Sequence, residues 1–339
     1  MSTPSAENGL LNLAAASTGV RKRISIVTPC YNEELNAVEC YRGVRRVMEE
    51  KLPHYDYEHV FCDNASLDRT ADILRELAAS DPRVKVILNS RNFGPAHSLF
   101  NGILATTGDG VLLCIPADMQ DPPDLLPEMV AKWEAGHEVV YGVRKKREES
   151  LTMRAFRKVY YWLAYQIADI QLRPGVGEFQ FVDRKVVRAL AQFDDFYPYI
   201  RGMVAYCGFR TAGIEYTWKA RKRGFSKNSF LSLIDQALNG MLSFSRAPMR
   251  LCMAFGVVLA LISLAYGFLN VVGHLIHYRQ VAAPGIATLI CALFLFSGVQ
   301  FFFFGVLGEY IAAIHMQVRR RPLVLERERI NFEQKEQPA

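Results

Sequence analysis

The chain has 339 residues, half of them apolar and 22% charged, with a formal net charge of +6 at pH 7. That length holds one large or two modest domains, but the apolar residues crowd towards the end, so a soluble piece and a membrane piece are read separately. The Lys and Arg excess lies beside apolar segments, which favours anionic lipid and phosphorylated substrates over nucleic acid. Seven cysteines at scattered spacings, with no C-x-x-C pair, argue against a disulfide framework or a structural zinc site.

In chain order, residues 1–20 carry an Ala-rich stretch but neither a basic start nor a long unbroken apolar core, and they read as a disordered leader rather than a cleaved signal. Residues 21–228 mix charge with short apolar runs and are long enough to bury a core of their own. Ile24 to Val27 predicts a strand that closes near Pro29, and an amphipathic helix is predicted from about Glu34 to Lys51. The alternation then repeats. His59 to Cys62, Val84 to Leu88 and Gly110 to Ile115 read as strands, and Ser66 to Ala79 and Pro95 to Thr106 as helices. Repeated βα units predict an α/β domain with a mostly parallel sheet flanked by helices.

Ligands of such sheets bind beyond the carboxyl ends of the strands, where this chain reads TPCYNEE, DNASLDRT, SRNFGPAHS and PADMQDPPD. Acid and amide groups gather in these loops. Neither a G-x-G-x-x-G nor a G-x-x-x-x-G-K-[ST] phosphate cradle occurs, which leaves a carboxylate-and-metal diphosphate site as the simplest choice.

Further on, Ser232, Asp235, Gln236, Asn239 and Ser243 share one helical face, so residues 229–250 read as an amphipathic interface helix, the other reading being an ordinary helix packed on the domain. Residues 251–273 and 285–308 are uncharged, and at about 1.5 Å per residue each run crosses the roughly 30 Å hydrocarbon core, predicting two transmembrane helices. Arg221, Lys222, Arg223, Lys227, Arg246 and Arg250 precede the pair and Arg319, Arg320 and Arg321 follow it, while the link carries Arg279 alone. That asymmetry predicts cytoplasmic termini, with residues 311–339 as a cytoplasmic tail. Gly256, Gly267, Gly298 and Gly305 are small positions through which copies of the chain would pack as a homo-oligomer.

Taken together, the strand-end loops, RNFG at Arg91 to Gly94, QDPP at Gln120 to Pro123, YGVR at Tyr141 to Arg144, the R-x-x-G-x-S-K pattern from Arg221 to Lys227 and the LGEY that ends the last span resemble the family 2 glycosyltransferases of the GT-A fold. The resemblance runs from about Arg23 to Pro322 and is to the polyprenyl-phosphate hexosyltransferase branch, related to dolichyl-phosphate mannose synthase and bactoprenol glucosyltransferase. It implies a Rossmann-like sheet and inverting transfer of a hexose-type sugar from a UDP- or GDP-linked donor to an undecaprenyl or dolichyl phosphate.

By position, the resemblance implies that Pro29, Tyr31, Glu33 and Asp63 hold the base and ribose. Asp118 would be the ligand of Mg²⁺ or Mn²⁺, with Gln120 and Asp121 orienting the donor. A helix cap is the plainer reading of Asp63, and a turn former that of Asp121. Arg144 would stabilise the leaving diphosphate, while Arg201, Arg221, Ser226 and Lys227 would bind phosphate of donor or acceptor. The acceptor, a phosphate monoester with a second pKa of about 6, is already ionised at neutral pH and needs no strong base. Glu178 is then a positioning residue or an optional base, an ordinary hydrogen-bonded Glu being the other reading.

Two residues depart from the family pattern. Pro116 stands where an Asp is usual, and Asn64 where a second Asp is frequent. Their loss motivates a competing reading, a catalytically silent membrane-bound relative acting as a scaffold. A processive polysaccharide synthase lacks its Q-x-x-R-W signature here, and a transporter lacks charged groups within the spans.

Overall fold

The computed structural model describes residues 21–144, 175–217, 286–319 and 321–333, with isolated positions between 255 and 272. The predicted leader, most of the first predicted span and the whole interface helix lie outside the described residues, as do Arg221, Ser226 and Lys227.

The first half of the α/β domain follows the predicted alternation. Strands β1 (Arg23–Cys30), β2 (Asp56–Asp63), β3 (Val84–Asn89) and β4 (Gly110–Leu112) are separated by helices α1 (Ala37–Lys51), α2 (Thr70–Ser80) and α3 (Pro95–Leu104). β1 lies between β2 and β4 and is parallel to both, and β3 extends the parallel block beyond β2. Being covered on both faces, these strands read as continuous apolar runs; Ile24, Ile26 and Val27 of β1 are fully buried. β4 is shorter than its apolar run predicts, but the chain beyond it still pairs irregularly, with Leu113 N–H donating to the Gln180 carbonyl and Ile115 N–H to that of Val27.

The second half departs from simple βα repetition. A 3-10 turn at Pro123–Leu125 leads into α4 (Leu126–Glu134), β5 (Val139–Arg144), β6 (Val176–Asp183), α5 (Arg184–Leu190), α6 (Ile200–Tyr206) and β7 (Thr211–Tyr216). β6 runs antiparallel to both β4 and β5, and β7 is parallel to β5. The sheet order is β7-β5-β6-β4-β1-β2-β3-β8. The last strand, β8 (Glu326–Ile330), comes from the segment read as a tail and pairs antiparallel with β3. It follows α7 (Ile286–Val318), a 33-residue apolar helix. Its Phe296–Val318 stretch is long and apolar enough to cross a membrane, the one such helix among the described residues, and none of its most apolar window is buried. Phe301, Phe302 and Ile311 are mostly exposed on it, unlike the residues of a soluble core helix.

The amino ends of the parallel strands are tied by a buried carboxylate. Glu58 accepts from Ser25 Oγ at 2.6 Å and Thr107 Oγ1 at 2.9 Å, and pairs with Lys85 Nζ at 2.5 Å. Burial pushes its carboxyl up, but Lys85, Ser25 and the Thr107 N–H outweigh burial and leave it below the ordinary value of 4.5. A folded-state value below the unfolded one stabilises the protein above the unfolded pKa, and that contribution disappears as pH falls below 4.5. Glu58→Gln is expected to cost on the order of 3 kcal/mol at pH 7 by leaving Lys85 without its buried partner. The difference from wild type should shrink in acid, read as the gap between denaturation midpoints across pH; a constant gap would mean that Glu58 is uncharged in the fold.

Candidate active site

Parallel pairing puts the carboxyl ends of β1, β2 and β4 on one edge of the sheet. The antiparallel course of β6 brings its first residues, Val176 to Glu178, to that same edge beside the end of β5. Of the four non-glycine residues with left-handed backbone among the described residues, three lie in these loops: Asn32 after β1 (φ 53°), Ala65 after β2 (φ 58°) and Met119 after β4 (φ 51°). Asn adopts this conformation readily, whereas Ala and Met pay roughly 1–2 kcal/mol each. Strain held at two strand ends, beside a left-handed Asn at a third, marks a site built for geometry rather than stability.

The first two loops are laced to each other. Asn32 N–H donates to Ser66 Oγ at 2.8 Å, and its side-chain oxygen accepts from Leu67 N–H at 2.7 Å. The Ser66 hydroxyl and N–H both reach the Asp63 carboxylate. Burial raises the Asp63 carboxyl above its ordinary value, opposed by the Ser66 bonds. Glu33 N–H donates to Thr70 Oγ1 at 2.8 Å, and its carboxylate accepts from Asn36 Nδ2 at 2.6 Å, so Glu33 also organises the start of α1. Pro29 is the next-to-last residue of β1, paired with Cys62, and Tyr31 follows the strand, half-buried. Four of the predicted donor-binding residues are thus brought together at one strand pair.

Asn64 has a structural role that its position in the motif did not reveal. Its side-chain oxygen accepts from Asn89 Nδ2 at 3.2 Å and Phe93 N–H at 3.0 Å, while its Nδ2 donates to Asn92 Oδ1 at 2.9 Å. An amide can donate and accept in this way; an aspartate cannot. The residue holds the RNFG loop against the end of β3.

Asp118 sits in the turn opened by Pro116, whose carbonyl accepts from Met119 N–H at 2.9 Å. It lines a cavity of about 420 Å³ shared with Asn36, Glu39, Arg42 and Arg46 along α1. Gln120 N–H donates to Asp118 Oδ1 at 3.3 Å. Among the described residues no group of three or more His, Cys, Asp or Glu side chains could hold a metal by itself.

Asp121 is more than a turn former. It is buried, accepts from Arg144 Nη2 at 2.9 and 3.1 Å through its two oxygens, and accepts a hydrogen bond from the Tyr216 hydroxyl. Arg144 Nε donates to Tyr216 Oη at 3.0 Å, which closes a three-membered ring of polar groups. Burial, then Glu178 and Asp121, push the Cys114 thiol up while Arg144 pulls it down. Arg201 is the second residue of α6, its Nε donating to Tyr199 Oη at 2.6 Å. Tyr216 carries no motif and escapes sequence reading; its only signal is its place at the end of an apolar alternation.

Asn64→Asp, which restores the acid frequent in the family, is expected to weaken the protein rather than improve it. Losing the bond to Asn92 and burying a carboxylate should cost about 1–3 kcal/mol, read as a lower thermal midpoint with weaker nucleotide binding. An unchanged midpoint would mean that the RNFG loop is held by other contacts.

Residues 25–190 match the glycosyl transferase family 2, and residues 247–314 match the GtrB C-terminal hairpin. The bactoprenol glucosyl transferase of Shigella phage SfX is 34% identical over 306 residues, covering 89% of this chain and 98% of the relative. The uncharacterized glycosyltransferase YkcC of Bacillus subtilis is 35% identical over 312 residues, covering 92% of this chain and 95% of the relative. Among solved structures, the mannosyltransferase PcManGT from Pyrobaculum calidifontis, in complex with GDP-Man and Mn²⁺, is 18% identical with a TM-score of 0.43, covering 89% of this chain and 87% of that one. Matched through both its parts, the chain belongs to glycosyl transferase family 2, with an α/β fold of the GT-A type.

Proposed function

We propose that this protein is an inverting glycosyltransferase that moves a hexose-type sugar from a nucleoside diphosphate to a polyisoprenyl phosphate at the cytoplasmic face of a membrane. One observation carries the reading. A strained, carboxylate-rich edge of an α/β sheet shares a chain with an exposed apolar helix of membrane-crossing length, and the end of that helix is bonded to the same domain, Phe196 N–H donating to Gln317 Oε1 at 2.9 Å. The bactoprenol glucosyl transferases, similar over nearly the whole chain, support the acceptor class.

In this reading Tyr31 offers a face to the base, and Pro29, Glu33 and Asp63 complete the nucleotide pocket. Asp118 would hold Mg²⁺ or Mn²⁺ together with the diphosphate, with Gln120 orienting the donor. When bound, the ion supplies neutralisation of the charge that develops on the leaving diphosphate. Arg144 is compensated by Asp121, so it contributes direction more than net charge. Glu178, at the amino end of β6, orients the acceptor, whose phosphate is already a nucleophile. Arg201 and the Arg221, Ser226, Lys227 segment are assigned to phosphate binding.

Two spans, 251–273 and 285–308, with the interface helix before them, would keep both termini on the cytoplasmic side. The anchor confines the site to the layer in which the acceptor diffuses and raises its effective concentration without adding chemistry. Gly256, Gly267, Gly298 and Gly305 are the small positions through which copies would pack.

Purified full-length protein, supplied with a panel of radiolabelled UDP- and GDP-sugars and undecaprenyl phosphate, is expected to label the lipid only with Mg²⁺ or Mn²⁺ present. Asp118→Ala should lower the rate by about a hundredfold, the scale of losing a principal electrostatic stabiliser. A folded protein that binds nucleotide but transfers from no donor would instead be the silent scaffold.

A further inference from the structure

We propose that Tyr216 is a positioning residue of the transfer site, its hydroxyl locking the loop that carries Asp118 to the ends of β5 and β7. The inference rests on the function proposed above and extends it to a residue outside every motif in the chain.

Three segments distant in sequence meet at this hydroxyl. Asp121 lies three residues beyond Asp118 in the loop after β4; Arg144 ends β5; Tyr216 ends β7 directly opposite Arg144 in the parallel register. Oη donates to Asp121 and accepts from Arg144 Nε at 3.0 Å, and Arg144 Nη2 grips both Asp121 oxygens. Each member orients the other two, and removing the hydroxyl subtracts a bond from both members of a buried ion pair.

The ring of Tyr216 is itself held. It packs on Phe179 with centroids 5.6 Å apart and lies over Gly142, where an added Cβ would come within 2.7 Å of Tyr216 Cε1 and 2.8 Å of Phe179 Cδ1. This accounts for glycine inside the YGVR segment: the backbone of β5 lies beneath two aromatic rings. Burial and the neighbouring carboxylate push the phenol up, opposed by Arg144, so the hydroxyl keeps its proton and remains a donor at neutral pH.

The arrangement supplies orientation rather than charge. Asp121 and Arg144 neutralise one another, and Asp121, anchored from both strands, is followed by Pro122 and Pro123, which stiffen the far side of the loop. On the near side Met119 is left-handed, so the loop is constrained between Asp118 and Asp121 and a shift at one is felt at the other. Phenylalanine at 216 would keep the packing on Phe179 and Gly142 and lose the lock alone.

The test compares full-length wild type, Tyr216→Phe, Arg144→Lys and the double variant for kcat and KM toward the donor sugar nucleotide, with thermal unfolding of each. Tyr216→Phe is expected to unfold cooperatively and to lose about tenfold in kcat with a smaller change in KM, the scale of a small misplacement of reacting groups. The double variant should lose less than the product of the two single losses, since both side chains hold the same Asp121 carboxylate. A kcat for Tyr216→Phe within twofold of wild type, losses that multiply independently, or a variant without a cooperative melt would each overturn the assignment. Failure of the wild-type chain to transfer any sugar would instead remove the proposed function, and this inference with it.

Discussion

The architecture depends on the burial of β1. Hydrogen-bonded on both edges by parallel neighbours and covered on both faces, this strand has no surface on which a polar side chain can reach water, apart from its ends. Ser25 and Thr28, its buried polar residues, are each satisfied internally, Ser25 by Glu58 and Thr28 by His59 Nε2 at 2.8 Å. Burial pushes the His59 imidazole down to about 3, so it stays neutral beside Thr28. Chemistry is therefore forced to the carboxyl edge, where successive parallel strands deliver TPCYNEE, DNASLDRT and PADMQDPPD side by side.

The two edges of the sheet are built on opposite principles. At the amino edge a single carboxylate, Glu58, ties three chain segments with short, well-compensated bonds and regular backbone. At the carboxyl edge the bonds run between loops, and the backbone bears left-handed Ala65 and Met119. Stability spent on rigid packing beneath allows strained loops above. Asn64 belongs to the same economy. By exchanging an acid for an amide the chain gains a donor toward Asn92 and secures the RNFG loop, so the departure from the family pattern has a structural function of its own.

Much of this was legible in the sequence where the information is local. β1 to β4 and their helices follow from apolar runs punctuated by turn residues, and the loops that carry Tyr31, Asp63 and Asp118 follow from the strand ends. The predicted start of α1 at Glu34 moved to Ala37 because Asn36 folds back on Glu33, its N–H and Nδ2 donating to the Glu33 carbonyl and carboxylate in a turn that precedes the helix. What escaped is non-local. Nothing in the spacing says that β6 turns antiparallel and brings Glu178 to the edge held by β4. Nor does it say that Asp121 finds Arg144 and Tyr216 across the sheet. An Asp before two prolines has the same local appearance whether it shapes a turn or neutralises a buried arginine.

The segment read as a tail is the clearest instance, and it bears on how the long apolar helix α7 is joined to the domain. Glu326 to Ile330 alternates charge with little apolar character, yet it pairs with the exposed edge of β3 and closes a strand edge otherwise open to association. Its charges are used: Glu326 accepts from Asn101 Nδ2 at 2.6 Å, Glu328 pairs with Arg75 at 2.9 Å, and Asn331 bonds the Ala78 and Val84 carbonyls. α7 is thereby attached at two places, through Gln317 to the loop at Asp194 and Phe196 and through β8 to the sheet. A single attachment would leave the domain free to swing about the helix. Two attachments fix the tilt of the helix against the sheet, and with it the place of the carboxyl-edge loops relative to the helix.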